Sequence, residues 1–364
     1  MALYGLLSIS DLLKPGFFYA VAAGFAVLIV VLLILIYWNL YKRKQAFFRP
    51  ESFRMGFELW VSKLVLEDTQ IPASRIPAKF AKHLKQRDKR QFALNSLIEL
   101  KKSVAGTVGD KVVALYLELG FKADSIEKLD SPVWYKKVKG INELSVMKQE
   151  DMNARIFKLT NNRNKYIRRE AQAAMFNFYG FRGLRFLNVL THSLSDWQQL
   201  NLIEQLRPLD PEPIPGLSNW LYSDNNTVVV FALKLAEIYQ CFEVHDEVVS
   251  CLTHEREEVR GQAAKTLKEI AGDATAAILC ERYASETPRN KIVILNSLTA
   301  IAGDAQQPFL MKELDSGNDF LKLGAARVIV TCCTAGWGLL ESKAAQQPLP
   351  FRNIYNHLRF ELKR

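Results

Sequence analysis

The stretch LKEIAGDATAAI at 267–278 is echoed at 298–309 by LTAIAGDAQQPF, so Ile-Ala-Gly-Asp recurs after 31 residues. The same step brings Arg260, Lys291 and Lys322 into register. It also aligns Ala263 with Ile294 and Ala325, Ala264 with Leu295 and Ala326, and Leu267 with Leu298 and Ile329. Apolar residues spaced three and four apart form one face of an α-helix. A polar break such as Gly-Asp follows, then a second apolar run, AILCERYA at 277–284 or PFLMKEL at 308–314. The glycines Gly272 and Gly303 sit where helices end, where Gly is the expected C-terminal residue. The unit is therefore helix, turn, helix, turn. A unit this short cannot enclose its own apolar face, and stacking copies into a solenoid does so.

Moving the step towards the N-terminus places Val229 ahead of Ala232, Leu233 and Ala236, and Arg168 ahead of Ala171 and Met175. Lys137 precedes Arg168 by the same 31 and puts Leu144 where Met175 sits, while DWQQLNLIEQL near 198 fits loosely. Six units and a weaker seventh predict an all-α, right-handed α-solenoid of about 31-residue helix-turn-helix repeats over 131–340. Residues 53–130 read as a helical cap or degenerate repeats, with helices over 53–67, 90–102 and 109–119. A loop and capping helix are expected over 341–364.

The block EEVRGQAAKTLKEIAGD (257–273) resembles the second helix of a HEAT repeat, in the short form also seen in bilin-lyase-type proteins. Val259, Arg260, Ala263, Ala264 and Leu267 carry the V-R-x-x-A-A-x-x-L core, and the resemblance covers roughly 130–335. The family often has Asp six residues before the Arg. His254 stands there in this chain, leaving Glu255, Glu257 and Glu258 as acidic groups able to replace it. The resemblance implies a protein-binding scaffold and says far more about fold than about chemistry.

Residues 17–38, FFYAVAAGFAVLIVVLLILIYW, carry no charge over 22 positions. As a helix they would be about 33 Å long, enough for a bilayer core of about 30 Å. A cleavable signal peptide fits less well, since no basic region precedes Lys14 and no small-x-small site follows the run. The expected order is an extracytoplasmic leader (1–16), a transmembrane helix (17–38) and a basic juxtamembrane linker (39–52). Lys42, Arg43, Lys44, Arg49 and Arg54 follow the span, so the positive-inside rule puts the N-terminus outside and the repeats in the cytoplasm. Five cysteines without C-x-x-C agree with a reducing compartment. Together these features predict a single-pass protein of the bacterial inner membrane.

The net charge of +10 is unevenly placed: 42–182 holds 29 Lys/Arg against 15 Asp/Glu, and 183–364 holds 18 against 22. The densest cluster, Arg75, Lys79, Lys82, Lys85, Arg87, Lys89 and Arg90, lies close behind the anchor. With Lys42, Arg43 and Lys44 it is the candidate face for anionic lipid headgroups, where each basic residue contributes about 1 kcal/mol. An ordinary solvated helix surface is the alternative. Nucleic acid is not expected as a partner, because the cluster lacks interleaved aromatics.

The histidines His83, His192, His245, His254 and His357 are scattered, and no H-E-x-x-H, G-x-S-x-G, Walker A or Rossmann pattern occurs. HEAT-like deoxyhypusine hydroxylases bind iron through several His-Glu pairs, whereas this chain has one, His254-Glu255, in a turn. No catalytic residue, cofactor or metal is therefore expected. Partner contacts are assigned to a concave face lined by second helices: Gln172, Asn177, Gln262, Lys265, Lys268, Asn296 and Ser297. The expected partner is a membrane-associated protein, for example of an envelope polysaccharide assembly. The alternatives are a HEAT-like enzyme, bilin-lyase-type or metal-dependent, and a nucleic-acid-binding HEAT protein. The basic flank makes one direct prediction. A reporter fused after Arg364 is expected to be active in the cytoplasm, and a periplasmic signal would reverse the assigned orientation.

Overall fold

The computed structural model describes residues 15–48, 51–66, 76–207 and 213–362, and among these there is helix and no strand. The chain divides into two units, residues 1–124 and 125–364.

In the first unit, helix Pro15–Phe48 runs without a break through the boundary expected at 38, so 39–48 is helix rather than linker. Continuity follows from composition, because YWNLYKRKQAFF contains neither Gly nor Pro. The expected leader lies outside the described residues except for Pro15 and Gly16, which start the helix. Its segment Ala22–Leu40 has a mean hydropathy of 2.5 and is nowhere covered by the rest of the chain. Helices Glu51–Leu66, Ala78–His83, Arg87–Ser103 and Gly106–Glu118 follow. Phe57, Phe80, Leu94 and Leu97 are buried among them. Aromatic rings organise this core: Phe80 lies edge-on to both Phe53 and Phe57, with centroids 6.0 Å apart in each case.

The second unit is an all-α solenoid of helix pairs. Its second helices begin at Trp134, Lys165, Asp196, Asn226, Glu257, Pro288 and Asp319, each 31 residues after the last apart from one step of 30. An eighth pair, Gly336–Gln346 with Pro348–Glu361, closes the array where a loop from 341 was expected. The first pair starts at Phe121–Asp130, ahead of the expected boundary at 131. The short first helices explain the shorter count read from sequence. Several dissolve partly into 3-10 turns, such as Gly180–Val189 and Phe242–Val244, and so lack a clean 3.6-residue period. Gly183 shows how closely they pack. A Cβ there would lie 2.3 Å from the carbonyl oxygen of Met175 on the preceding second helix.

Every apolar position aligned by the 31-residue step is buried: Ala263, Ile294 and Ala325, then Ala264, Leu295 and Ala326, then Leu267, Leu298 and Ile329. Each fully buried Leu or Ile contributes about 1.5–3 kcal/mol. Second helices stack directly on one another, as with Glu257–Glu269 between Asn226–Ile238 and Pro288–Ile301. Asp196–Leu206 meets its neighbours over a smaller face, which is why its sequence fits the pattern loosely.

The turns carry a second periodicity. Asn164, Ser195, Asn225, Thr287 and Asn318 each cap the second helix that follows, accepting from its first free amides. Val133 and Arg256 stand in the other two slots and give no side-chain cap. The Arg256 amide itself donates to His254 Nδ1 at 3.0 Å, as the amides of Asn164, Asn225 and Asn318 donate to Asn162, Ser223 and Ser316. The turn residues also reach the preceding repeat. Asn225 Nδ2 donates to the carbonyls of Leu190 and His192, and Thr227 Oγ1 accepts from the Leu194 amide. The repeated Gly-Asp has a related role. Gly303 is extended (φ −148), not left-handed, and its amide donates to Gln306 Oε1 at 2.9 Å. Gly272 donates likewise to Thr275 Oγ1. Asp304 then accepts from the amide and hydroxyl of Thr334 in the next turn. Left-handed residues instead end the second helices at Lys148, Gly180 and Gln240.

Ala264 is buried between stacked helices, so Ala264→Asp should destabilise the fold by about 3 kcal/mol or more. Lys268→Gln, on the exposed side of the same helix, should change stability by less than about 0.5 kcal/mol. Thermal unfolding of the two variants checks the register. Equal losses would contradict it.

Candidate interaction surface

Of the seven array positions assigned to partner contact, Asn177, Lys265, Lys268 and Asn296 are exposed. Gln172 and Ser297 are not available. Gln172 turns inward, where its Nε2 donates to the Thr160 carbonyl at 3.0 Å, and buried Ser297 donates to the Val293 carbonyl. Both sit one position from the apolar stripe, and helical pitch carries them into the stack. Gln262 is half-buried and donates to Glu237 Oε2 on the preceding second helix. Similar cross-helix pairs join Asn142 to Glu170 and Lys234 to Gln199. These bridges were missed in the sequence. Their partners lie 25, 28 and 35 residues apart, a drift about the repeat length that no fixed step reveals.

Arg260 is the site where the family pattern departs. Its Nη1 donates to the carbonyls of His254 and Glu255, at 2.9 and 3.0 Å. Arg168 does the same with the Asn162 carbonyl, so the Arg secures the turn through backbone rather than through an Asp. The side chains of Glu255, Glu257 and Glu258 do not take the direct ion pair. Glu286 of the following repeat does, at 2.6 Å from Arg260 Nε, and Asn290 donates to it at 2.9 Å. Burial pushes the Glu286 carboxyl up, but hydrogen bonds from Arg260 and Asn290 outweigh it and hold the group below its ordinary value.

In the basic cluster, Phe80 and Leu84 point into the first unit, while Lys82, Lys85 and Arg87 are exposed. Lys89 is half-buried, with its amine 2.8 Å from His83 Nδ1. Arg90 is committed internally: it clamps Asp124 through Nε at 2.9 and 2.8 Å, donates to the Gly120 carbonyl and lies over the Phe121 ring. It is withdrawn from the lipid-facing set. Lys79 lies in helix Ala78–His83, and Lys42, Arg43 and Lys44 lie near the end of Pro15–Phe48. Arg75 falls outside the described residues.

Among the described residues no group of three His, Cys, Asp or Glu is placed to hold a metal ion. The five cysteines are unpaired. Burial pushes the thiols of Cys241, Cys251 and Cys280 up to about 11, so these three serve packing rather than nucleophilic attack. A cleft of about 210 Å³ opens between Lys165–Tyr179 and Asp196–Leu206, lined by residues including Arg169, Ala173, Trp197 and Gln205. It lies where the third repeat packs less closely.

No protein-family profile matches the chain, and no curated protein matches it. Among solved structures, an engineered protein is similar at 16% identity, covering 84% of this chain and 99% of its own, with a TM-score of 0.38. A second engineered protein is similar at 13% identity over 75% of this chain and 98% of its own, with a TM-score of 0.24. The complex of CpcE and CpcF of phycocyanin lyase from Nostoc sp. PCC7120 is similar at 13% identity, covering 80% and 97%, with a TM-score of 0.25. The solenoid assignment rests on the chain's own repeat geometry.

The Glu286 pair carries a pH signature. A carboxyl held low in the folded state adds stability above its unfolded value and loses it as pH falls through the folded one. Glu286→Gln should cost about 1–3 kcal/mol at neutral pH. The gap in Tm between variant and parent should close on acidification below the ordinary value of 4.5. A gap unchanged down to pH 3 would show that the charge of Glu286 adds nothing.

Proposed function

We propose that this protein is a membrane-anchored helical-repeat scaffold that binds a protein partner at the bacterial inner membrane. The reading rests on one observation above others. Ala22–Leu40 is a charge-free helix with none of its surface covered by the chain. Nineteen residues, all but Asn39 free of a polar amide or charge, would cost far more left bare in water than one exposed Leu, and a bilayer removes that cost. Pro15–Phe48 then holds the array at the membrane, with Lys42, Arg43 and Lys44 on the cytoplasmic side.

The array supplies the binding function. Side chains left over from stacking, Lys265, Lys268 and Asn296, present a polar second-helix face to the partner, whereas exposed Asn177 is bonded to Ser145 of the preceding repeat. Anchoring raises the local concentration of any partner in the same membrane without adding a contact. An assembly that builds or exports an envelope polysaccharide is one such partner. The role is binding rather than catalysis.

Two measurements test this. The full chain should stay in the membrane fraction through an alkaline carbonate wash, whereas a cleaved signal sequence would release residues after the span. Cross-linking in mild detergent should then capture a membrane protein partner, and Lys265→Glu with Lys268→Glu should abolish capture without lowering Tm. Stoichiometric iron or zinc in the purified chain, with no partner lost in that variant, would favour an enzyme instead.

A further inference from the structure

Three exposed aromatic side chains occupy one register position in the first three repeats. Tyr135, Tyr166 and Trp197 are each the second residue of a second helix, 31 residues apart. They are 57%, 47% and 63% exposed, well above what a core aromatic shows. Trp134, 45% exposed, stacks on Tyr166 with centroids 4.9 Å apart and planes at 24°, joining the first two repeats at the surface. In a solenoid, equivalent positions of successive units fall along one line. The aromatics therefore form a stripe on the edge where first helices turn into second helices.

The run of three consecutive aromatics lies in the basic part of the array. Residues 131–170 hold ten Lys/Arg against four Asp/Glu. Lys136, Arg163, Lys165 and Arg169 are exposed around the stripe, and none of these four forms an ion pair among the described residues. Lys165 Nζ lies 5.1 Å from the centre of the Tyr166 ring. The acidic groups nearby are Glu170, half-buried and bonded by Asn142, and exposed Asp196 beside Trp197. Past the third repeat the register position becomes Thr227, Glu258 and Arg289, and the turns acquire Asp224, Glu255 and Glu257. An exposed aromatic returns at this position only in the seventh repeat, as Phe320 beside Asp319, so the run of consecutive aromatics ends where the cationic surplus ends.

We infer that the edge carrying Trp134, Tyr135, Tyr166 and Trp197, with its surrounding Lys and Arg, lies on an anionic phospholipid surface. Tyr and Trp have an apolar body and a polar tip, and they settle at the boundary between headgroups and acyl chains. Unpaired Lys and Arg beside them meet the headgroup phosphates. A protein ligand of the same charge would meet the cations equally well. The bilayer is favoured because exposed Trp and Tyr side chains with polar tips run along an edge of three successive repeats, beside cations that no carboxylate pairs among the described residues. This inference rests on the anchoring reading above, since the anchor is what keeps this edge near a membrane. It adds a second lipid contact, in the repeats themselves.

Tryptophan quenching by lipids brominated near the top of the acyl chain separates the two readings. The full chain is reconstituted in vesicles of phosphatidylcholine, with or without phosphatidylglycerol. Single Trp→Phe variants at 38, 134 and 197 assign the emission by difference. Quenched Trp38 in both vesicle types reports the anchor, and its absence would defeat the anchoring reading itself. With Trp38 quenched, Trp134 and Trp197 should lose emission in the anionic vesicles only. That loss should reverse in 1 M salt, where the screening length falls to about 3 Å. Lys136→Gln, Arg163→Gln, Lys165→Gln and Arg169→Gln together should prevent it, while buried Trp220 stays unquenched and reports an intact fold. Unquenched Trp197 beside quenched Trp38 would overturn the inference and leave the stripe to a protein ligand. Equal quenching without phosphatidylglycerol would also overturn it.

Discussion

A pair of short helices with an apolar stripe on each cannot bury both stripes by itself, and everything in residues 125–364 follows from that constraint. The second helices supply the remedy by stacking, with Ala263, Ala264 and Leu267 packed between neighbours on either side. Small residues such as Ala let backbones approach, and the larger Leu and Ile at equivalent positions fill the remaining space. Stability in such an array is a sum of local interfaces rather than one central core. A weak member can then be tolerated, as Asp196–Leu206 is, at the expense of a cleft beside it.

Stacking alone leaves freedom to slide, and the turns remove it. An Asn, Ser or Thr at the start of five second helices caps the helix and in several cases also bonds the preceding repeat. Free amides at helix starts need partners in any case, so one residue type meets a local need and sets the register between repeats. Arg168 and Arg260 act in the same place from the other side, donating to turn carbonyls that would otherwise lack partners. At Val133 and Arg256 that side-chain cap is missing. His254 there accepts the Arg256 amide, the bond that Asn162, Ser223 and Ser316 make in other turns, so one turn geometry is held by several residue types.

The surface is divided by chemistry along the chain. Residues up to about 180 carry the cationic surplus, and the later repeats are mildly acidic. A long apolar helix with a basic end is followed by a basic start to the array and a mildly acidic remainder. Arg90 shows that composition alone overstates the available charge. Its guanidinium is spent on Asp124 and so belongs to the fold.

The sequence by itself determined the helical class, the repeat length and the buried stripe, because helical pitch ties apolar spacing directly to one face. The uncharged span was likewise legible, since it depends only on residues near in the chain, whereas the caps at Asn164, Asn225 and Asn318 emerged with the structure. The number of pairs was not legible, because the first helices are short and several run partly as 3-10 turns without a 3.6-residue period. Nor was the fate of individual polar residues. Whether Gln172 meets solvent, whether Arg260 pairs with Glu286, and whether Tyr135, Tyr166 and Trp197 align on one edge depend on contacts between repeats. Those contacts exist only after stacking, and only the tertiary structure decided them.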